Sequence, residues 1–277
     1  MLLSKFRQFI QVCSAILVNC YVDVVTTKTI NTGIQKGICV PFLNCYACPS
    51  AVFSCPIGTL QHFFAIRVFP FYTISLIFIV GLLTGRMSCG WLCPFGFLQD
   101  LLYRIPSRKW KLPYFFRYAK YGILVLFVIA LPYYTGDSWF SKVCPAGTLT
   151  AGIPWVLWNP VSASGQPILP DGPGVLFYFS LCLLILFLIG FVFSQRPFCK
   201  AICPLGALLS FFNGVSLIHI RVPKKCEGCT LCRDLCPMDL NVLLEVNSGE
   251  CIRCLECTRC GHIQVESSFY SKIKRLH

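Results

Sequence analysis

Apolar residues gather in four long runs along this chain, at 9–25, 63–83, 118–134 and 175–193, separated by polar and proline-containing stretches. The last three approach the ~20 apolar residues needed to cross a hydrocarbon core, and each is predicted to be a transmembrane helix. The first is less regular, because Gln11, Asn19 and Asp23 interrupt it. No small-residue cleavage site follows it, and Leu17-Val18-Asn19-Cys20 makes a poor lipoprotein box, so an uncleaved helix is expected rather than a signal peptide. The connections at 26–62 and 135–174 are long for turns and carry cysteines followed by proline. They are expected to fold against the bilayer surface, the second partly as a Gly/Pro/Ser-rich loop.

Composition agrees with a bilayer as solvent. Of 277 residues 56% are hydrophobic and only 13% charged, and the mean hydropathy is +0.68. A soluble domain of this size could not bury so much apolar surface. The net charge of +13 does not point to nucleic acid, because Lys and Arg stand at the ends of the apolar runs instead of forming a stripe. Seven cations (Arg86, Arg104, Arg108, Lys109, Lys111, Arg117 and Lys120) lie between the second and third runs. Lys5, Arg7 and the tail from Arg196 onward are also basic, whereas the other face holds only Lys28, Lys36, Arg67 and Lys142. The positive-inside rule then predicts a multi-pass protein of the inner (cytoplasmic) membrane with both termini and the middle loop in the cytoplasm.

Twenty cysteines redirect the argument from packing to chemistry. They cluster at short spacing, which brings several thiolates around one metal centre. Residues 226–237 read Cys-x2-Cys-x2-Cys-x3-Cys-Pro, the bacterial ferredoxin run, in which the fourth cysteine serves the other cluster. A second run at Cys251, Cys254, Cys257 and Cys260 departs from it, since its last interval is x2 and Gly261 stands in place of proline. Two [4Fe–4S] clusters are expected in a crossed arrangement. One takes Cys226, Cys229, Cys232 and Cys260; the other takes Cys251, Cys254, Cys257 and Cys236. Zinc also binds paired Cys-x2-Cys, but three cysteines in succession at x2 followed by Cys-Pro favour the clusters.

Cys-Pro-x-Gly occurs four times, at Cys55, Cys93, Cys144 and Cys203. Two copies precede the second and fourth runs and two follow them, so the chain reads as two copies of one unit. The copies that follow are extended to Cys89-x3-Cys93-Pro and Cys199-x3-Cys203-Pro. These four thiols could ligate a third cluster, take part in thiol–disulfide exchange, or simply pack as small hydrophobes. In the outer loops Cys45, Cys48, Cys55 and Cys144 could ligate a fourth cluster with Cys39 spare, or form disulfides such as Cys45 with Cys48. Cys13, Cys20 and Cys182 are expected to pack in spans. Only His62 among the four histidines is near the membrane region, so a bis-histidine haem has no ligand pair. Trp91, Trp110, Trp139 and Trp155 read as an interfacial belt. The predicted fold is an α-helical membrane protein with four transmembrane helices in two pseudo-repeats over 1–215, plus a small α+β ferredoxin-like domain with two clusters over 216–277.

The combination of Asn44-Cys45-Tyr46-Ala47-Cys48-Pro49, Cys89-Gly90-Trp91-Leu92-Cys93-Pro94-Phe95-Gly96, residues 199–206 and the double-cluster tail resembles the NapH-type membrane ferredoxin proteins, related to the membrane portion of NosR. The resemblance covers nearly the whole chain and implies a quinol-linked electron-transfer subunit of a respiratory complex. The outer cysteine set goes beyond the minimal pattern, so nitrate reduction does not follow.

Three functions fit these residues. The first is an electron conduit between the quinone pool, or a far-side donor, and a cytoplasmic ferredoxin-like or flavoprotein partner. Lys224, Lys225, Arg233, Arg253 and Arg259 would steer an acidic partner, or form a solvated basic face or touch lipid headgroups. Tunnelling across a core about 30 Å thick in one hop is implausible, so clusters must approach the midplane on re-entrant segments or a quinone must shuttle between them. The second is a transmembrane thiol–disulfide relay; the third is a redox-sensing or assembly protein for a respiratory enzyme. Nothing supports hydrolytic or transferase chemistry.

Overall fold

The fourth apolar run forms one unbroken helix, Val175–Phe193. It contains no proline, and its 19 residues span about 28 Å at 1.5 Å per residue. The third run lies within a continuous helical stretch, Tyr114–Thr135. These two helices are long and apolar enough to cross a membrane. The computed structural model describes residues 2–27, 30–159, 166, 172–223 and 230–267.

The Tyr114–Thr135 helix widens to π-helical turns over Leu124–Ala130. Pro132 follows at once, and a proline inside a helix lacks an N–H and crowds the carbonyl four residues back. The wider turn makes room for it. Thr148–Gly152 is π-helical too, just ahead of Pro154.

The second run is not the single span expected over 63–83. It is split between Pro56–Ala65 and Phe71–Thr84. Pro70 caps the second helix, and Arg67 in the joining turn has a φ of 56°. The residue before a proline is driven out of the helical region, so no helix runs through Phe69, and the positive φ at Arg67 follows the end of the first helix at Ala65. The 14 residues of Phe71–Thr84 cover only about 21 Å.

The first run also differs from its expected limits of 9–25. The helix, α1, is Leu2–Val18. Arg7, Gln11, Ser14 and Val18 form its buried face, while Phe6, Phe9, Ile16 and Leu17 point outward. Gln11, which breaks the hydropathy of the run, is thus an inward contact: its Nε2 donates to the Gly90 carbonyl at 3.0 Å.

All four Cys-Pro-x-Gly motifs start helices in the same way. Cys55, Cys93, Cys144 and Cys203 are the N-caps and proline follows at the first helical position. Proline suits that position because its missing N–H would be unpaired there anyway. In the inner copies the Cys93 and Cys203 sulfurs accept the Gly96 and Gly206 N–H groups, both at 3.4 Å.

The tail carries two antiparallel strands, β1 (Ile218–Arg221) and β2 (Gln264–Ser267), paired from Ile218↔Ser267 to Arg221↔Gln264. It is clamped onto the helical part. Asn213 Nδ2 donates to the Ser248 and Cys251 carbonyls at 2.8 and 2.6 Å, and its Oδ1 accepts the Arg86 N–H at 2.9 Å. Trp91 Nε1 donates to the Arg253 carbonyl at 3.0 Å. Trp91 is therefore a buried docking residue, not a member of an interfacial belt. Arg253, expected on an exposed basic face, is fully buried and donates to the Thr84 and Asn213 carbonyls. The helix ending at Thr84 leaves a carbonyl without a partner in the helix, and the tail brings Arg253 to it. Arg253→Ala removes two charge-assisted bonds and is expected to cost roughly 2–4 kcal/mol. Hydrogen exchange checks this: amides of 248–257 should lose protection while those of Val175–Phe193 keep it.

Candidate functional site

The inner cysteines meet at one place. Met87–Trp91 and Pro197–Ala201 are short equivalent helices that carry Cys89 and Cys199, and the next helix in each copy starts at Cys93 or Cys203. All four thiols are buried. They are close enough that Cys199, Cys89 and Cys93 each act electrostatically on Cys203. Gln99 Nε2 donates to the Cys199 sulfur at 3.2 Å.

The outer cysteines form a second group. Cys45, Cys55 and Cys144 line a small cavity of about 30 Å³ together with Leu43, Tyr46 and Phe140. Cys48 acts on Cys45 from beside this cavity, and its own sulfur lies 3.2 Å from the Ser50 hydroxyl. Cys39 stands apart, 3.2 Å from Thr59 Oγ1 and 3.5 Å from Ser54 Oγ.

In the tail, Cys236, Cys251, Cys254 and Cys257 line a small cavity of about 20 Å³ with Met238, Leu240, Val242 and Ile252. This is the crossed quartet expected from spacing. Cys232 of the other quartet is buried and close enough to act on Cys257. Cys260 ends the turn Glu256–Cys260 and is half-buried. Cys226 and Cys229 lie outside the described residues. Cys20 and Cys182 are exposed, contrary to the packing expected of them, and Cys13 is partly so.

Among the described residues no three His, Cys, Asp or Glu side chains converge on a point that could hold a single metal ion. The outer and tail thiols instead line small cavities, and all three donor sets are wholly cysteine. That suits an iron–sulfur group, which is held by thiolates and fills the space between them. Burial pushes the Cys93, Cys45, Cys55 and Cys257 thiols up to about 12. Four thiolates in such surroundings therefore require positive charge nearby.

Spacing did not reveal where that charge comes from. Arg86 acts on Cys89, Cys199 and Cys203, and Arg196 on Cys199 and Cys254. Arg7 acts on Cys254 and Lys200 on Cys236. On the outer group Lys36 acts on Cys48 and Cys45, and its Nζ donates to the Cys48 carbonyl at 3.2 Å. Carboxylates hold most of these cations in place. Asp100 receives Arg196 at 2.8 and 2.6 Å and Arg7 at 3.2 Å, Arg7 also meets Glu256 at 3.3 Å, and Lys200 pairs with Asp239. Arg86, Arg117 and Lys120, three of the seven cations counted in the middle loop, are buried. They cannot count as freely solvated topology signals. A clue was nonetheless present: arginine stands three residues before the first cysteine in both inner motifs, at Arg86 and Arg196.

The three groups adjoin one another. The Leu43 backbone N–H is close enough to act on the Cys93 thiol, and Leu43 also lines the outer cavity. On the other side Gly90, next to Cys89, presses on the tail. A Cβ there would lie 2.5 Å from the Ile252 carbonyl oxygen and 3.5 Å from Cys254 Cα. Only glycine permits this approach.

A family described as a 4Fe-4S binding domain matches residues 68–113 and 176–225, which are the two inner motifs with the helices that precede them. An uncharacterized protein of Methanocaldococcus jannaschii is 34% identical over 66% of this chain and 72% of its own length. The ferredoxin-type protein NapH of Haemophilus influenzae is 27% identical over 70% of this chain and 64% of its own length. The regulatory protein NosR of Pseudomonas aeruginosa is 29% identical over 66% of this chain, but only 25% of its own length is matched. The chain thus spans somewhat less than two thirds of NapH and a quarter of NosR. No solved structure matches.

Asp100 is the hub of the ion network. Burial tends to raise its carboxyl, but Arg196 and Arg7 together hold it below the usual carboxylate range. A carboxyl depressed in the folded state stabilises the fold above its unfolded pKa of about 3.9, and that contribution is lost as pH falls through the lower folded value. Asp100→Asn is expected to lower stability at neutral pH by about 3–5 kcal/mol, because two buried guanidinium groups lose their partner. The difference from the wild type should close on acidification below about pH 4. Thermal unfolding of both proteins across this range tests it.

Proposed function

The chain belongs to the NapH-like 4Fe–4S ferredoxin-type proteins of electron transport, and we propose that it conducts single electrons across a membrane from the outer cysteine group, through the inner group, to the tail. The observation that carries this reading is the continuity of the three thiol groups. Leu43 links the outer cavity to Cys93, and Gly90 links Cys89 to Cys254. An iron–sulfur group bound by such a quartet would supply a one-electron acceptor and donor. The chain's own contribution is spacing: the outer loop folds inward until the Leu43 backbone is near enough to act on Cys93. A path too long for one hop across about 30 Å of hydrocarbon is divided into short steps.

In this reading Cys45, Cys48, Cys55 and Cys144 hold the outer centre, and Cys89, Cys93, Cys199 and Cys203 the inner one. Cys236, Cys251, Cys254 and Cys257 hold a tail centre, with a second completed by Cys226, Cys229, Cys232 and Cys260. The membrane part spans four times with both termini in the cytoplasm.

Quinol fits as the donor at the outer end. An open apolar pocket of about 330 Å³ runs from Cys45 and Tyr46 past Trp155 to Phe177. The buried Trp155 Nε1 has no hydrogen-bond partner among the described residues, so its N–H is free to donate to a ring oxygen. At the tail end the exposed Arg233 and Arg259 could meet an acidic redox partner.

Iron and acid-labile sulfide counted on anaerobically purified protein test the reading. About sixteen irons per chain are expected, and Cys93→Ser or Cys144→Ser should each lose about four. About eight irons in the wild type would confine the clusters to the tail and leave the other thiols to exchange chemistry.

A further inference from the structure

Arg86 and Arg196 hold equivalent places in the two inner motifs, and each crosses over to serve the other copy. Arg86 Nη2 donates to the Cys199 carbonyl at 3.4 Å, and Arg196 Nη1 to the Cys89 carbonyl at 3.2 Å. Each lies over the glycine of the opposite Cys-Pro-x-Gly. A Cβ on Gly206 would stand 2.9 Å from Arg86 Nη2, and one on Gly96 would stand 3.4 Å from Arg196 Nη1. Both guanidinium groups are completely buried. Arginine stays charged in such surroundings, so its neighbours must balance it.

The balance differs between the two. Arg196 makes a forked pair with Asp100, at 2.8 and 2.6 Å, and Arg7, which shares Asp100 at 3.2 Å, has a second carboxylate in Glu256 at 3.3 Å, so two cations meet two acids. Arg86 has a single long contact with Glu250, at 3.4 Å, and Lys120 shares that carboxylate. Arg86 Nε has no partner among the described residues. The positive charge of Arg86 is therefore much less cancelled by carboxylate, and it faces the thiols of Cys89, Cys199 and Cys203. Its Nη1 also donates to the Gly249 carbonyl at 2.8 Å, two residues before Cys251 of the tail group.

We propose that Arg86 is a positioning residue that sets the reduction potential of the inner centre, while Arg196, neutralised by Asp100, serves geometry. This rests on the inner quartet holding an iron–sulfur centre, as proposed above. Reduction adds one electron, and hence one negative charge, without making or breaking a bond. A buried positive charge beside three of the four ligands stabilises the reduced form, and does so more strongly in a low-dielectric interior than in water. Arg86 also ties the inner quartet to the strand entering the tail quartet, so the same charge acts at the junction where the electron passes on.

The test is an EPR-monitored redox titration of the full chain, with the inner signal identified as the one lost in Cys203→Ser. Arg86→Gln is expected to shift the equilibrium about tenfold toward the oxidised form, which is about 59 mV for a one-electron couple. Arg86→Lys should recover most of the shift. Glu250→Gln should move the potential the opposite way, because it frees Arg86 and Lys120 from their shared countercharge. An unchanged inner potential in Arg86→Gln at full iron content overturns the proposal. If Arg86→Gln fails to load iron, Glu250→Gln decides alone: a higher potential supports the proposal and an unchanged one overturns it. Failure of the underlying reading is distinguishable, because it shows in the wild type as absence of any signal sensitive to Cys203→Ser.

Discussion

A thiolate is an anion, and this fold buries three groups of cysteine thiols where water cannot stabilise that form. Much of what surrounds the three groups answers to that constraint. Burial alone holds the thiols protonated, so thiolates would persist there only with positive charge buried beside them. The chain supplies it from separate regions: Arg7 from the first helix, Lys36 from an outer loop, Arg86 and Arg196 from the ends of the two copies, and Lys200 beside the tail. Buried cations in turn need acids, and Asp100, Asp239, Glu250 and Glu256 meet most of them. With 11 acidic residues in the whole chain, the commitment of four to this network shows how strongly the site governs the use of charge.

The same constraint joins the two pseudo-repeats. Neither copy completes the inner quartet, and neither satisfies its own first cysteine carbonyl. Each carbonyl is met by the arginine of the other copy, which needs a glycine beneath it. Glycine in Cys-Pro-x-Gly is thus a seat for a partner's side chain as well as a donor to the capping sulfur. The tail completes the assembly through backbone contacts at Asn213, Trp91 and Arg253, so it is held in register with Cys89 and not merely tethered.

Hydropathy locates apolar length but not the path of the chain through it. The run at 63–83 looks continuous because Arg67 and Pro70 are only two residues among many apolar ones. Their backbone effects nevertheless divide it into two helices that leave room for the inward outer loop. Pro132 and Pro154 have a milder outcome, since π-helical turns absorb them without ending the helix. Proline therefore accompanies a break in one run, where Arg67 takes a positive φ, and widened turns in the others.

Much of the candidate site was legible in residue order. Short-range cysteine spacing dictates which thiols can reach one centre, and the crossed set Cys236, Cys251, Cys254 and Cys257, the matched pairs at Cys89 and Cys199, and the helix Val175–Phe193 all follow from local pattern. Periodic or repeated signals survive in sequence because each is written within a few residues or within one copy of a unit. The roles of isolated charges do not. Arg86, Arg253 and Lys120 look like loop or surface cations by position, and only the packing of distant segments makes them buried partners of thiols, carbonyls and Glu250. A charge acquires its meaning from what surrounds it in space, and for these residues the hydrogen-bond partners lie 40 to 169 positions away along the chain.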